Sequence, residues 1–245
     1  MWSINFYRAF YLVFHCAYTI FEYIHTALKY INHKIVDFGH EFLPTTEKNN
    51  CIQNQLNKIR TPVHLTVLLG HEEPCYKDLV NLILWCMATR ISFISFYDHK
   101  GILKKNEQEF QYELDQRNLK EDHVIWHSHS DSTYKNGFIG KKIHVKIITE
   151  EDGRNSVVNL TKNLSLTKNR DFSLDNISES LRKQFEFPNP DLGLVCGETF
   201  NLYNYPPWQI SVTEFLTIKS LRNITFSSFI EQLVRYSKCE QRLGK

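Results

Sequence analysis

The sequence predicts an α/β fold with a mainly parallel central sheet flanked by helices. Short apolar runs of strand length alternate with longer stretches whose apolar residues recur at helical spacing. The connections between these runs read as crossovers rather than hairpins, which favours parallel pairing. The chain has 245 residues, 42% apolar and 23% charged, which suits one globular α/β domain plus an appendage.

Each element has its own signal. Residues 63–69 form an apolar strand interrupted only by His64 and Thr66. Residues 76–89 carry Leu79, Val80, Ile83, Leu84 and Met87 on one helical face, and residues 91–97 form a second strand. Residues 103–116 read as a polar, mostly exposed helix. Residues 124–126 and 143–148 are further strands. Ser173 is placed to cap a helix running to Gln184, with Asp175 in its first turn. Residues 192–196 form a short strand. Thr225 caps a last helix whose Phe226, Phe229, Ile230, Leu233 and Val234 fall on one face.

The predicted organisation is a membrane anchor over residues 1–31, a linker over 32–60, a globular domain over 61–238 and a C-terminal tail over 239–245. Trp2, Phe6, Tyr7, Phe10, Tyr11, Phe14, Tyr18, Phe21, Tyr23 and Tyr30 crowd the first segment. Residues 9–28 give a stretch of about 20 residues, the length of a transmembrane helix. Glu22 and His15 interrupt it, so a helix lying in the membrane interface is the alternative. Arg8 before the segment and Lys29 and Lys34 after it favour a cytosolic domain. Pro44, Thr45 and Thr46 open the polar part of the linker.

A net charge of +2 argues against a nucleic-acid binder, which usually shows a strong basic patch. The six cysteines include no C-x-x-C pair, and those in apolar runs, such as Cys86, read as buried free thiols. His127, His129 and Asp131 have metal-ligand spacing, yet their Ser- and Asn-rich surroundings read as an exposed loop rather than a metal centre. Sequons at Asn159, Asn163, Asn176 and Asn223 are expected to stay unmodified in a cytosolic domain. Asp98-His99-Lys100-Gly101 follows a strand. It is either a site at a carboxyl strand end or a plain turn.

Pro190-Asp191-Leu192, a strand, Gly197-Glu198, Trp208-Gln209 and then Glu214-Phe215 follow one another in order. This order resembles the C-terminal signature of the cis-prenyltransferases, which build polyisoprenoid diphosphates, and the resemblance covers about residues 60–245. In active members, the resemblance implies, the first strand ends in an Asp-Gly-Asn turn whose Asp holds Mg²⁺ on the allylic diphosphate. Here that strand runs into Gly70-His71-Glu72-Glu73-Pro74, and two carboxylates repel a diphosphate. The family's Arg-Thr-Ser triplet is replaced by Leu194-Val195-Cys196, and a second Arg by Phe200. Each lost guanidinium removes charge-assisted hydrogen bonds of roughly 1.5–3 kcal/mol. Glu214 stands at the position of a second metal-binding carboxylate, without its Asp partner.

These departures, with Trp85-Cys86-Met87-Ala88, Tyr97-Asp98-His99-Lys100-Gly101-Ile102 and the ending Cys239-Glu240-Gln241-Arg242-Leu243-Gly244-Lys245, resemble the Nogo-B-receptor branch of the family. Its members are the non-catalytic subunits of dehydrodolichyl diphosphate synthase at the endoplasmic reticulum. The resemblance implies a catalytic cis-prenyltransferase partner that holds Mg²⁺ and elongates farnesyl diphosphate with isopentenyl diphosphate. It also implies a tail that completes the partner's site. Arg242 would contact the homoallylic diphosphate, Gly244 would offer its backbone N–H, and Leu243 would seat the tail. The alternatives are a receptor or scaffold that kept the fold without a catalytic contribution, and a stand-alone homodimeric synthase with a rebuilt site.

Overall fold

The computed structural model of the chain describes residues 7–8, 10–25, 27–28, 59–117, 123–127, 142–166, 173–210 and 212–239. Six strands form one sheet: β1 (His64–Leu68), β2 (Phe93–Tyr97), β3 (His123–Trp126), β4 (Lys142–Ile148), β5 (Leu192–Cys196) and β6 (Glu214–Ile218). Their order is β3-β4-β2-β1-β5-β6, and every adjacent pair is parallel. The helices are α1 (Tyr76–Ala88), α2 (Ile102–Lys105), α3 (Glu107–Asp115), α4 (Arg154–Leu166), α5 (Leu174–Phe185) and α6 (Phe226–Ser237).

The central strands are buried on both faces, which is why they read as continuous apolar runs rather than alternating ones. Leu65, Val67, Ile94, Phe96, Val145 and Leu194 pack under α1, α3 and α6 with Leu79, Ile83, Phe110, Phe229 and Leu233. The opposite face is smaller, joining Leu68, Tyr97, Ile148 and Val195 to Phe185 and Phe187 at the end of α5 and to Tyr205.

Two helix caps follow the sequence reading. The Ser173 side chain accepts from the Asn176 N–H, and that of Thr225 from the Ser228 N–H at 3.2 Å. The segment read as one exposed helix over 103–116 differs. Asn106 leaves helical geometry at φ −107 and ψ 27 and divides it into α2 and α3, while Leu103, Phe110 and Leu114 are buried. The sequence reading also had no counterpart for α4 or β6.

At the amino end of the sheet Asp191 joins β1 to β5. One of its carboxylate oxygens accepts from the backbone N–H groups of Val63 at 2.7 Å and His64 at 3.1 Å. Its own N–H donates to the His64 carbonyl. This gives the Pro-Asp-Leu sequence a structural duty. Among the described residues no helix is long and apolar enough to cross a membrane, and the helical residues 10–25 expose Phe10, Tyr11, Phe14, Tyr18 and Phe21.

His64 is fully buried between two partners. A carbonyl only accepts, so His64 Nδ1 carries the proton and donates to the Pro188 carbonyl at 2.6 Å, leaving Nε2 to accept from the Ser95 hydroxyl at 2.8 Å. Burial lowers its pKa from 6.5 to about 4, outweighing the Pro188 hydrogen bond and the nearby Asp191 charge. The unfolded chain takes up a proton below pH 6.5 that the folded chain refuses until about pH 4. His64 should therefore remove stability as pH falls across that window, by about 3 kcal/mol in full. Denaturant melts between pH 7 and pH 4 should show this loss, and His64→Gln should lack that component.

Candidate functional site

In a parallel α/β sheet ligands bind beyond the carboxyl ends of the strands, where neighbouring strands connect to opposite faces. Here that point lies between β1 and β5. The chain leaves β1 toward α1 on one face, and it leaves β5 through Leu202, Tyr203, Tyr205 and Ile210, which pack on the other. The place is filled by the protein's own side chains. Gly70 turns the chain after β1 at φ +58, a left-handed conformation that suits glycine. A Cβ there would meet the Cys196 carbonyl oxygen at 2.8 Å and the Tyr203 ring at 3.2 Å. Tyr203 is therefore seated against bare backbone.

The His99 ring stacks on Tyr203 with centroids 4.8 Å apart and planes 13° apart. His71 meets both rings edge-on, at 5.5 Å and 5.1 Å. Tyr203 and Asn204 both adopt positive φ, 48° and 61°. Three bonds hold this turn: Tyr97 donates its hydroxyl to the Tyr203 carbonyl, Asn201 Oδ1 accepts from the Tyr203 N–H, and Asn204 donates its amide to Glu150. Burial, ahead of the opposing Asp98 charge, lowers the His99 pKa and keeps the ring neutral. Lys100 reaches across to the His71 carbonyl at 2.7 Å.

The residues weighed from sequence separate into distinct roles. Asp98 accepts from the N–H groups of Lys100 and Leu103 at 2.9 and 2.8 Å, and Gly101 turns at φ +69. These are turn duties, while His99 and Lys100 do line the carboxyl edge. Glu72 accepts from the Leu221 N–H at 3.0 Å, Glu73 lies 3.9 Å from Arg222, and Asp78 accepts from the Asn223 N–H. The acidic residues after β1 thus hold the loop that leads into α6.

Cys196 is a buried thiol whose pKa burial pushes up. Phe200, where active enzymes of the resembling family carry Arg, is exposed and meets the Phe215 ring edge-on at 5.9 Å. Glu214 opens β6 opposite Leu192, at the amino end of the sheet. Glu72 and Glu214 therefore stand at opposite ends of the sheet and do not share a cation. Among the described residues no group of three or more His, Cys, Asp or Glu could hold a metal ion.

His127 Nε2 is hydrogen-bonded to His144 Nδ1 at 2.8 Å, while His129 and Asp131 lie outside the described residues. Asn159 and Asn163 are exposed on α4, Asn176 lies in the first turn of α5, and Asn223 sits at φ 55 before α6. Arg242, Leu243 and Gly244 also lie outside the described residues. The last described residue, Cys239, locates the departure of the tail. It follows α6, which packs against β6, and burial and then the neighbouring Glu214 carboxylate push its thiol pKa up.

The aromatic closure was not read from the sequence. Its only signal there was the run Asn201-Leu-Tyr203-Asn204-Tyr205, whose asparagines favour left-handed turns.

No family model matches the chain. It is 34% identical over 204 residues to the mouse (Mus musculus) dehydrodolichyl diphosphate synthase complex subunit Nus1, covering 76% of this chain and 67% of the relative. The human (Homo sapiens) NUS1 subunit is 32% identical over 204 residues, covering 76% and 68%. The fission yeast (Schizosaccharomyces pombe) subunit is 27% identical over 217 residues, covering 80% and 82%. Two solved structures share the fold. Lavandulyl diphosphate synthase from Lavandula x intermedia matches with TM-score 0.55 at 14% identity, covering 76% of this chain and 99% of the other. A probable undecaprenyl diphosphate synthase from Campylobacter jejuni matches with TM-score 0.53 at 18% identity, covering 76% and 100%. A parallel sheet of this order, a signature running from Pro190 to Phe215 and these similarities agree, and the chain belongs to the family of Nus1 subunits of the dehydrodolichyl diphosphate synthase complex.

Proposed function

We propose that this chain is the accessory subunit of a dehydrodolichyl diphosphate synthase complex. The complex elongates farnesyl diphosphate with isopentenyl diphosphate to make the dolichol precursor used in protein glycosylation. The observation that carries this reading is the closure of the chain's own carboxyl edge by His71, His99 and Tyr203, with Glu72 and Asp78 bound to backbone N–H groups and Glu73 facing Arg222. Among the described residues the crevice between β1 and β5 is left without a seat for a diphosphate. The catalytic partner supplies the Mg²⁺ site and most of the arginines. This chain supplies stability, a membrane address and the tail.

The tail chemistry follows from its residues. The Arg242 guanidinium offers a fork of donors to a diphosphate, Gly244 lets its N–H approach a phosphate oxygen, and Leu243 seats the segment. Its point of departure supports an outward path, because β6 is the last strand and is paired only to β5 among the described residues. Phe200 and Val212, on the β5–β6 connection, lie exposed, and Phe200 meets the ring of Phe215, which packs over Gly193. We assign this edge to the catalytic subunit, so that the tail leaves directly into the joint. The aromatic helix of residues 10–25 anchors the complex at the endoplasmic reticulum membrane, by spanning it or lying in its surface, with the domain in the cytosol.

Two outcomes check this reading. An Arg242→Ala complex should assemble normally and turn over about 10²-fold more slowly, the usual cost of losing one transition-state contact. Normal activity in that complex, or after deletion of residues 242–245, would support the scaffold reading instead. Phe200→Glu should weaken association with the catalytic subunit, measured by co-purification, while leaving the melting temperature of the isolated chain within a few degrees.

A further inference from the structure

Helices α4 and α5 and two short turns bound a cavity of about 200 Å³ that shares no residue with the closed centre. Glu151 and Asp152 line it from the turn Glu150–Asp152 after β4, and Ser156 and Asn159 from α4. Gln184 lines it from α5 and Gln209 from the turn Pro207–Gln209, while Leu181 and Phe185 complete the wall. Helical spacing explains the convergence. Ser156 and Asn159 stand three apart on one face of α4, and Leu181, Gln184 and Phe185 fall at i, i+3 and i+4 on α5.

Six of the eight lining side chains carry an oxygen that can accept, and none of the eight is a lysine, arginine or histidine. Gln209 is 6% exposed, and its Oε1 is buried with no hydrogen-bond partner among the described residues. A buried acceptor left unpaired is costly, and native proteins rarely keep one without an ion or a water to meet it. Asp152 is already oriented, since its Oδ2 accepts from the Thr149 N–H at 2.9 Å and from the Thr149 hydroxyl at 3.3 Å. The Ser156 hydroxyl donates to the Asp152 and Gly153 carbonyls at 3.0 and 2.7 Å, which leaves its lone pairs to accept. Lys146 acts electrostatically on Asp152, yet it lines the neighbouring cleft rather than this cavity, and its amine donates to the Phe185 carbonyl.

We propose that this cavity binds a calcium ion. Glu151 and Asp152 balance its charge, and Gln209 Oε1 with the neutral oxygens of Ser156, Asn159 and Gln184 completes the shell. The donor set selects the ion. It contains no sulfur or imidazole, which disfavours zinc and other transition metals. Calcium takes roughly six to eight oxygens in an adaptable shell and accepts neutral carbonyl oxygens, whereas magnesium demands a tight octahedron and keeps much of its water. With only two carboxylates, the site belongs at the weak end of calcium affinities. The ion ties the turn after β4 to both helices and to the turn before β6.

Equilibrium dialysis of the full chain, first stripped with a chelator, tests this with radiolabelled calcium. The chain should bind about one equivalent at millimolar calcium, with magnesium at the same concentration competing poorly. Calcium should also raise the melting temperature, because it binds only the folded state. Glu151→Gln, at an exposed position where folding is not at stake, should weaken binding about 10-fold by removing one of the two balancing charges. Gln209→Met keeps a side chain of similar length without the oxygen and should weaken binding too. If that variant fails to fold, Glu151→Gln decides. The absence of saturable binding at millimolar calcium would overturn the proposal, as would binding unchanged by Glu151→Gln or magnesium competing equally.

Discussion

Tyr203 packed against Gly70 is the contact on which the functional arrangement of this molecule depends. A left-handed glycine after β1 leaves room for an aromatic ring, and that ring occupies the crevice where β1 and β5 diverge. Placing Tyr203 there requires two consecutive residues at positive φ, a conformation that asparagine tolerates at 204 and that is unfavourable for the bulky Tyr203. The surrounding structure offsets this through the Tyr97 hydroxyl, the Asn201 side chain and the Asn204 bond to Glu150. His71 and His99 complete an aromatic cluster in the place where a phosphate would need cations.

The charges near this crevice have been redirected rather than removed. Glu72, Glu73 and Asp78 all face the loop over residues 221–223, two of them as acceptors for backbone N–H groups. That loop precedes Thr225 and α6, so the residues near the closed centre fix the helix from which the tail departs. The same sheet thus links a closed carboxyl edge to a chain end released beside β6. On the function proposed above, the domain keeps its fold for docking and placement while the reacting groups sit on the partner.

How much of this was legible in the sequence varies with burial. β1 and β5 are buried along their whole length, and their apolar runs marked them with nearly correct ends. Ser173 and Thr225 announced their helices because a cap is a local bargain between one side chain and one backbone N–H. Helix α4 left little trace, since none of its residues is fully buried and its polar residues dominate the pattern. Strand β6 was obscured by its edge position, with Glu214 and Thr217 among its five residues. The missing aspartate and arginines could be read from residue identity, whereas the filling of the space they left could not. That filling depends on Tyr203 reaching Gly70 across 133 positions of sequence, a tertiary pairing with no local periodicity.

The most direct measurement is prenyl elongation by the purified chain, by a catalytic cis-prenyltransferase subunit and by the two together, with farnesyl diphosphate, isopentenyl diphosphate and Mg²⁺ supplied. A closed centre with a tail directed outward predicts no elongation by this chain alone and higher turnover by the assembled pair than by the catalytic subunit alone. Elongation by this chain alone, or a pair no faster than its catalytic member, would contradict the account.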